Sequence, residues 1–107
     1  MIRELLPHDF PELLKEIPDP PAHLRYEGKL PINGNKLLAV VGSRKYSSYG
    51  REICESIISG LSGSPVTIVS GLALGIDSIA HRSAIRASLQ TIAIPGSGLD
   101  RKVLHPH

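Results

Sequence analysis

Gly42, Ser43, Arg44 and Lys45 follow one another directly after the apolar run 37–41. Glycine lets a backbone turn tightly and lets a ligand come close. A serine hydroxyl donates a hydrogen bond, and a guanidinium offers a planar fork that fits a phosphate in bidentate fashion. The stretch thus has the parts of a phosphate-binding loop. Its alternative is a strand-to-helix turn that carries a surface arginine. A second glycine-bracketed stretch, "SGLALGIDSIAH", runs from Ser70 and Gly71 through Gly75 to Asp77 and His81. Asp77 falls in the first turn of a helix, where a carboxylate favours the helix dipole and can cap free N–H groups. His81 follows four residues later, so the two share a helix face. That pair reads either as an acid–base couple or as a structural hydrogen bond fixing the loop, and the structural reading is the commoner for such pairs. Arg82 and Arg86, also four apart, read as a basic stripe or as plain solvated surface. A third stretch, "PGSGLDRK", adds Arg101 and Lys102.

These residues need elements to hold them. From Lys36 onward the chain alternates between buried-strand and helix patterns. The run 37–41 is continuously apolar, as in a parallel strand buried on both faces. Residues 48–62 place Ile53, Cys54, Ile57, Ile58 and Leu61 on one helical stripe, with Gly60 and Gly63 near its end. "PVTIVSG" is a second strand, over 66–69. A second helix is expected from about Gly75, with Ile76, Ile79, Ala80 and Ala84 inward. "TIAIPGSG" is a third strand. Strand–helix–strand–helix–strand is the signature of parallel βαβ units, nearly always with right-handed crossovers. Both helices then cover one face of the sheet. All three strands point the same way and end in glycine loops, so the loops gather at the carboxyl edge, where open α/β sheets bind their ligands.

Residues 1–36 read as an N-terminal extension and linker, and 37–107 as the α/β unit. In "DFPELLKEIPDPP", Phe10, Leu13, Leu14 and Ile17 mark one face of a short helix, with Asp9 as N-cap, Pro11 in its first turn and three prolines to stop it. "HLRYEG" alternates as a short strand closed by Gly28, and "LPINGNK" reads as linker.

With 107 residues, the chain holds one small domain. No run approaches the ~20 apolar residues of a membrane span, no signal-peptide pattern opens the chain, and the single cysteine cannot form an internal disulfide. The expectation is a cytoplasmic protein without membrane contact, with Cys54 as a small core residue. Net charge is +2, unevenly spread. Residues 1–36 carry five lysines and arginines against six acids, and residues 37–107 carry seven against four. The basic excess lies with the glycine loops, a weak pointer to an anionic ligand. The spacing is neither the dinucleotide fingerprint G-x-G-x-x-G nor G-x-x-x-x-G-K-[ST]. No Asp or Glu follows the second strand at the place where a ribose-binding acid would sit. The five histidines are scattered without ligand spacing, so no metal or other cofactor is expected. No nucleophilic triad is visible, and G-x-S-x-G is absent.

Taken together and in this order, "VVGSRKYSSYGREI", "TIVSGLALGIDSIAHRSAI" and "TIAIPGSGLDRKVLHP" resemble the DprA/Smf family, the DNA-processing proteins of bacterial transformation. The segment "LPHDFPELLKEIPDPPAHLRYEGKL" resembles the lead-in to that family's Rossmann-like domain, so the likeness covers nearly the whole chain. It implies a non-enzymatic protein that binds and protects single-stranded DNA and helps load a RecA-type recombinase. It implies DNA phosphates at the carboxyl edge, with Arg44 as the main contact. Gly42 and Ser43 lie beside it, Ser70 and Gly71 on the facing loop, and Lys45, Arg101 and Lys102 are further cations. Gly75, Asp77 and His81 are expected to shape the loop. Family members continue for well over another hundred residues and form homodimers. The expectation is therefore a chain truncated within its Rossmann-like domain, the first half of a doubly wound sheet. Its first strand would be left with an unpaired edge, and the family's dimer and recombinase surfaces would lie mainly outside it. Two rivals stand beside this reading. One is a Rossmann-like nucleoside-monophosphate hydrolase of the cytokinin-activating kind, whose Gly-Gly loop and later Arg and Glu motif are not visible here. The other is an inactive fragment.

Overall fold

Two strands of continuous β-branched and aliphatic residues, each followed by an amphipathic helix, build the larger part of the molecule. The computed structural model describes residues 2–72 and 74–95. The N-terminal part holds β1 (Ile2–Leu5), a 3-10 turn at Pro7–Asp9, a short helix α1 (Glu12–Lys15) and β2 (Leu24–Glu27). The α/β part holds β3 (Lys36–Ala39), α2 (Ser48–Gly60), β4 (Val66–Ser70), α3 (Ile76–Arg86) and β5 (Gln90–Ala93). β3, β4 and β5 are parallel in that order, with Leu38 opposite Ile68 and Ile68 opposite Thr91. This is the expected Rossmann-like arrangement, and α2 and α3 pack side by side on one face of the sheet.

The core lies between that face and the helices. Cys54, Ile58, Ile68, Ile79, Ala80, Ala84, Ala87 and Leu89 form its buried cluster, with Val40, Leu61, Val66 and Ile76 packed against it. Cys54 is the small core residue expected. Burial pushes its thiol pKa up, and the neighbouring Glu55 carboxylate adds to the effect. The predicted stripe on α2 is only partly inward. Cys54 and Ile58 are buried, whereas Ile53 and Ile57 are 41% and 56% exposed. A three-stranded sheet covers only one side of the helix. β3 is an edge strand among the described residues, as expected. On the sheet face away from the helices, Leu37 is part-exposed and Val41 stands almost free.

Helix ends follow local chemistry. Ser47 caps α2, its Oγ accepting from Gly50 N–H at 3.0 Å. α1 starts one residue after Pro11, not at Asp9. Asp9 instead closes the 3-10 turn through its N–H to Leu6 O, so it caps nothing in α1. Beside these helical turns, the extension contains an antiparallel strand pair, β1 with β2, Leu5 opposite Leu24. Leu5 and Phe10 are its buried residues.

The segment 29–35 is tied to the foot of the sheet. Gln90 Oε1 accepts from Ile32 N–H at 2.9 Å and from the Thr67 hydroxyl at 2.8 Å, while Gln90 Nε2 donates to Leu30 O at 2.9 Å. Asn35 Nδ2 donates to Thr67 Oγ1 at 3.1 Å. These bonds cover the wholly buried Thr67 on the face the helices leave open.

The burial difference on α2 sets a test. Ile58→Ala is expected to cost about 3 kcal/mol through lost burial and a residual cavity. Ile57→Ala, at an exposed position, is expected to cost about 0.5 kcal/mol or less. Urea unfolding of both variants checks this, and equal costs would contradict the packing described.

Candidate nucleic-acid interface

The carboxyl edge is assembled by one loop pressed against the start of a helix. After β3, Val40 N–H still bonds Val69 O at 2.9 Å, and the chain then leaves the sheet into Gly42–Lys45. Opposite lies the turn before α3. Ile76 N–H, one of the donors a helix start leaves without an intrahelical partner, donates to Ser43 O at 3.1 Å. Gly75 takes φ +88°, a left-handed conformation that suits glycine. A Cβ there would also stand 2.5 Å from Arg44 Cα and 2.6 Å from Arg44 O. Gly42 is as constrained from the other side, because a Cβ would meet Ile76 Cβ at 2.6 Å. Two glycines thus let the first loop and the second loop touch backbone to backbone.

The third member of the edge is Gly71. A Cβ there would lie 2.6 Å from Asp77 Oδ2, so the buried Asp77 carboxylate packs directly over it. Ser70 O accepts from Ile94 N–H at 2.8 Å, which carries the β4–β5 pairing past the end of β5. The buried Ser70 hydroxyl donates to Val40 O at 2.6 Å. Ser70 therefore ties β4 to β3 and offers no hydroxyl to a ligand.

Asp77 and His81 share a helix face but do not bond each other. His81 Nε2 lies 2.7 Å from Gly71 O, and Nδ1 lies 2.6 Å from Thr91 Oγ1. A carbonyl only accepts, so Nε2 carries a proton and donates to Gly71 O, while Nδ1 is hydrogen-bonded to the Thr91 hydroxyl. Long-range partners have displaced the local i,i+4 pairing. Nor does Asp77 cap α3, whose cap residue Gly75 has no side-chain hydrogen bond. Asp77 Oδ1 is buried without a hydrogen-bond partner.

The cations have the opposite character. Residues 42–46 are all exposed. Ser43 Oγ accepts from Lys45 N–H at 3.0 Å, which fixes the turn and leaves the hydroxyl proton to donate elsewhere. Among the described residues, Arg44 and Lys45 have no side-chain hydrogen bond or ion-pair partner. The structure thus brings Gly42, Ser43, Arg44 and Lys45 to one edge with Ser70, Gly71, Gly75 and Asp77. His81 sits beneath, holding Gly71 in place. Arg101 and Lys102 lie outside the described residues. The role of Thr91 and the hydroxyl tie of Ser70 carried no signal in the sequence, since both depend on which strands become neighbours. Among the described residues no cluster of metal-ligating side chains exists, and no helix is long and apolar enough to cross a membrane.

The close approach at Gly75 makes a prediction. Gly75→Ala is expected to destabilise the fold by about 2 kcal/mol, from its φ and from the Arg44 backbone in its way. Amide signals of residues 43–45 should shift with it. A variant with unchanged stability and unchanged loop signals would contradict the contact.

Comparison with known proteins places the chain in a family. A family model described as DNA recombination-mediator protein A matches residues 3–106. The chain is 46% identical over 91 residues to the DNA processing protein DprA of Streptococcus pneumoniae, an alignment covering 85% of this chain and 32% of that protein. It is 43% identical over 96 residues to Protein Smf of a Synechocystis species, covering 86% and 24%. It is 40% identical over 105 residues to Protein Smf of Escherichia coli, covering 95% and 28%. The X-ray structure of the Streptococcus pneumoniae DprA superposes with a TM-score of 0.80 at 41% identity, over 89% of this chain and 34% of that one. The chain therefore spans about a quarter to a third of the length of these relatives. On the family match and these identities, the chain belongs to the DNA recombination-mediator protein A family, that of the DprA and Smf proteins.

Proposed function

We propose that this chain binds single-stranded DNA by its phosphates at the carboxyl edge of the sheet, with the Arg44 guanidinium as the main contact. The observation that carries the reading is the state of Arg44. Its side chain is exposed and has no partner among the described residues, while its backbone is held against Gly75 and the start of α3. A fixed backbone with a free guanidinium favours an anion, since less order is lost on binding. Lys45 adds charge, Ser43 a hydroxyl donor, and Gly42 and Gly71 closely approachable backbone. Ser70 contributes by holding Gly71, through the bond to Val40 O. The family's description as a recombination mediator supports single-stranded DNA, onto which a RecA-type recombinase is delivered, as the partner. Loading of that recombinase and pairing into a homodimer belong to the same proposal and draw on family membership alone.

The chain offers few stacking platforms, with three tyrosines and one phenylalanine. Phosphate contacts position a strand without reading its sequence. Binding is accordingly electrostatic, tolerant of base identity and steeply dependent on salt.

Fluorescence anisotropy of a labelled oligothymidylate, titrated at two salt concentrations, tests this. Arg44→Ala is expected to weaken binding about tenfold or more, the loss of one charge-assisted contact. Its log–log salt slope should fall by roughly 0.7 per phosphate released. Arg44→Ala with wild-type affinity, in a chain that melts like the wild type, would contradict the assignment.

A further inference from the structure

A groove between α2 and α3 opens beside the loop, and the phosphate site at Arg44 makes no use of it. Tyr46, two residues beyond Arg44 in the same exposed segment, lines one end together with Arg51, Glu55, Arg82 and Arg86. Toward Ser59 and Ser62 the groove widens into a cavity of about 310 Å³, with Glu55 and Arg86 on its wall. Its charge is lopsided. Three guanidiniums face one carboxylate, and both oxygens of that carboxylate are engaged. Arg51 Nε lies 3.4 Å from Glu55 Oε1, and Arg86 Nη1 lies 3.6 Å from Glu55 Oε2. Arg82 has no carboxylate partner among the described residues, and its Nη2 donates to Ser78 Oγ at 2.8 Å. A clamp between two helices needs one arginine for Glu55. The groove has two more, and each guanidinium carries five N–H donors, most of them unspent.

We infer that this groove is a second phosphate subsite, formed by Arg51, Arg82 and Arg86, which carries the single strand away from the Arg44 loop and across the helix layer. The inference rests on the proposed binding of DNA at Arg44 and extends it. Three features favour a nucleic-acid backbone over a single small anion. The guanidiniums are spread along two helices. Ser59, exposed on the groove wall, can donate to a phosphate or sugar oxygen, whereas the Ser62 hydroxyl is already given to Ala87 O at 2.9 Å. Tyr46, part-exposed at the junction with the loop, can stack on a base between the two subsites. The bound strand would run past Tyr46 with at least one phosphate on each side of it.

The test compares two oligothymidylates, of about 4 and about 12 nucleotides, which span the usual site sizes of single-strand grooves. They are titrated against wild type, Arg44→Ala, Glu55→Gln and the double variant Arg82→Gln/Arg86→Gln. The double variant is expected to bind the short oligonucleotide as wild type does and the long one about tenfold more weakly, with a shallower salt slope for the long one alone. Glu55→Gln, which removes the one negative charge, is expected to tighten the long one several-fold. Arg82 and Arg86 are exposed and Glu55 is half-buried between the helices, and a thermal melt confirms that the variants fold. Wild-type binding of both lengths by the double variant would overturn the second subsite while leaving the Arg44 site standing. An equal loss at both lengths would overturn it too, since the groove would then not be an extension. A wild-type chain that binds neither length would overturn the Arg44 site and this inference together.

Discussion

The hydrogen bond from Ile76 N–H to Ser43 O is the contact on which the carboxyl edge depends. It joins the loop after β3 to the first turn of α3 and gives a helix-start donor a partner inside the protein. The bond forms only because side chains are missing around it. Gly75 takes a left-handed backbone against Arg44, and Gly42 makes room for Ile76. Ile76 in turn packs on the core cluster beneath. The position of Arg44 is thus linked through one helix turn to the hydrophobic interior, although its guanidinium stands in solvent.

A second chain of contacts holds the neighbouring loop. His81 spans Gly71 O and the Thr91 hydroxyl, and Ser70 bonds Val40 O. These polar ties reach all three strands: two lie at the carboxyl ends of β3 and β4, where the ladders run out and backbone groups would otherwise lack partners, and the third is anchored at Thr91 within β5. At the opposite end Gln90, Thr67 and Asn35 do the same for the segment that enters the sheet. Between the two belts the core is apolar and packed on one face only. The other face, and the outward side of α2, keep Leu37, Val41, Ile53 and Ile57 in contact with water.

The fold was legible where burial writes itself into local pattern. Continuous apolar runs marked β3 and β4, and the inward set Ile79, Ala80 and Ala84 marked α3. Boundaries slipped by a residue or two, as at Lys36 and Ser70. Only one strand of the pair in the extension is legible in the sequence, because "IREL" has apolar residues only at its ends and no alternation to signal a strand. Which side of α2 faces inward depends on where the strands lie, so Ile53 and Ile57 could not be told from Ile58 by spacing. The same limit applies to the site. The exposed cations of the loop were readable from residue type and place. The partners of His81, the turned-in hydroxyl of Ser70 and the failure of Asp77 to cap are products of strand order, and no local spacing encodes them.

The most direct test of the account is a titration of ¹⁵N-labelled chain with oligothymidylate, followed by amide chemical shifts. The largest changes are expected on Ser43, Arg44, Lys45, Gly71 and Ile76, fading as salt rises. Changes confined to the foot of the sheet around Leu30–Asn35, or no changes in a folded chain, would contradict it.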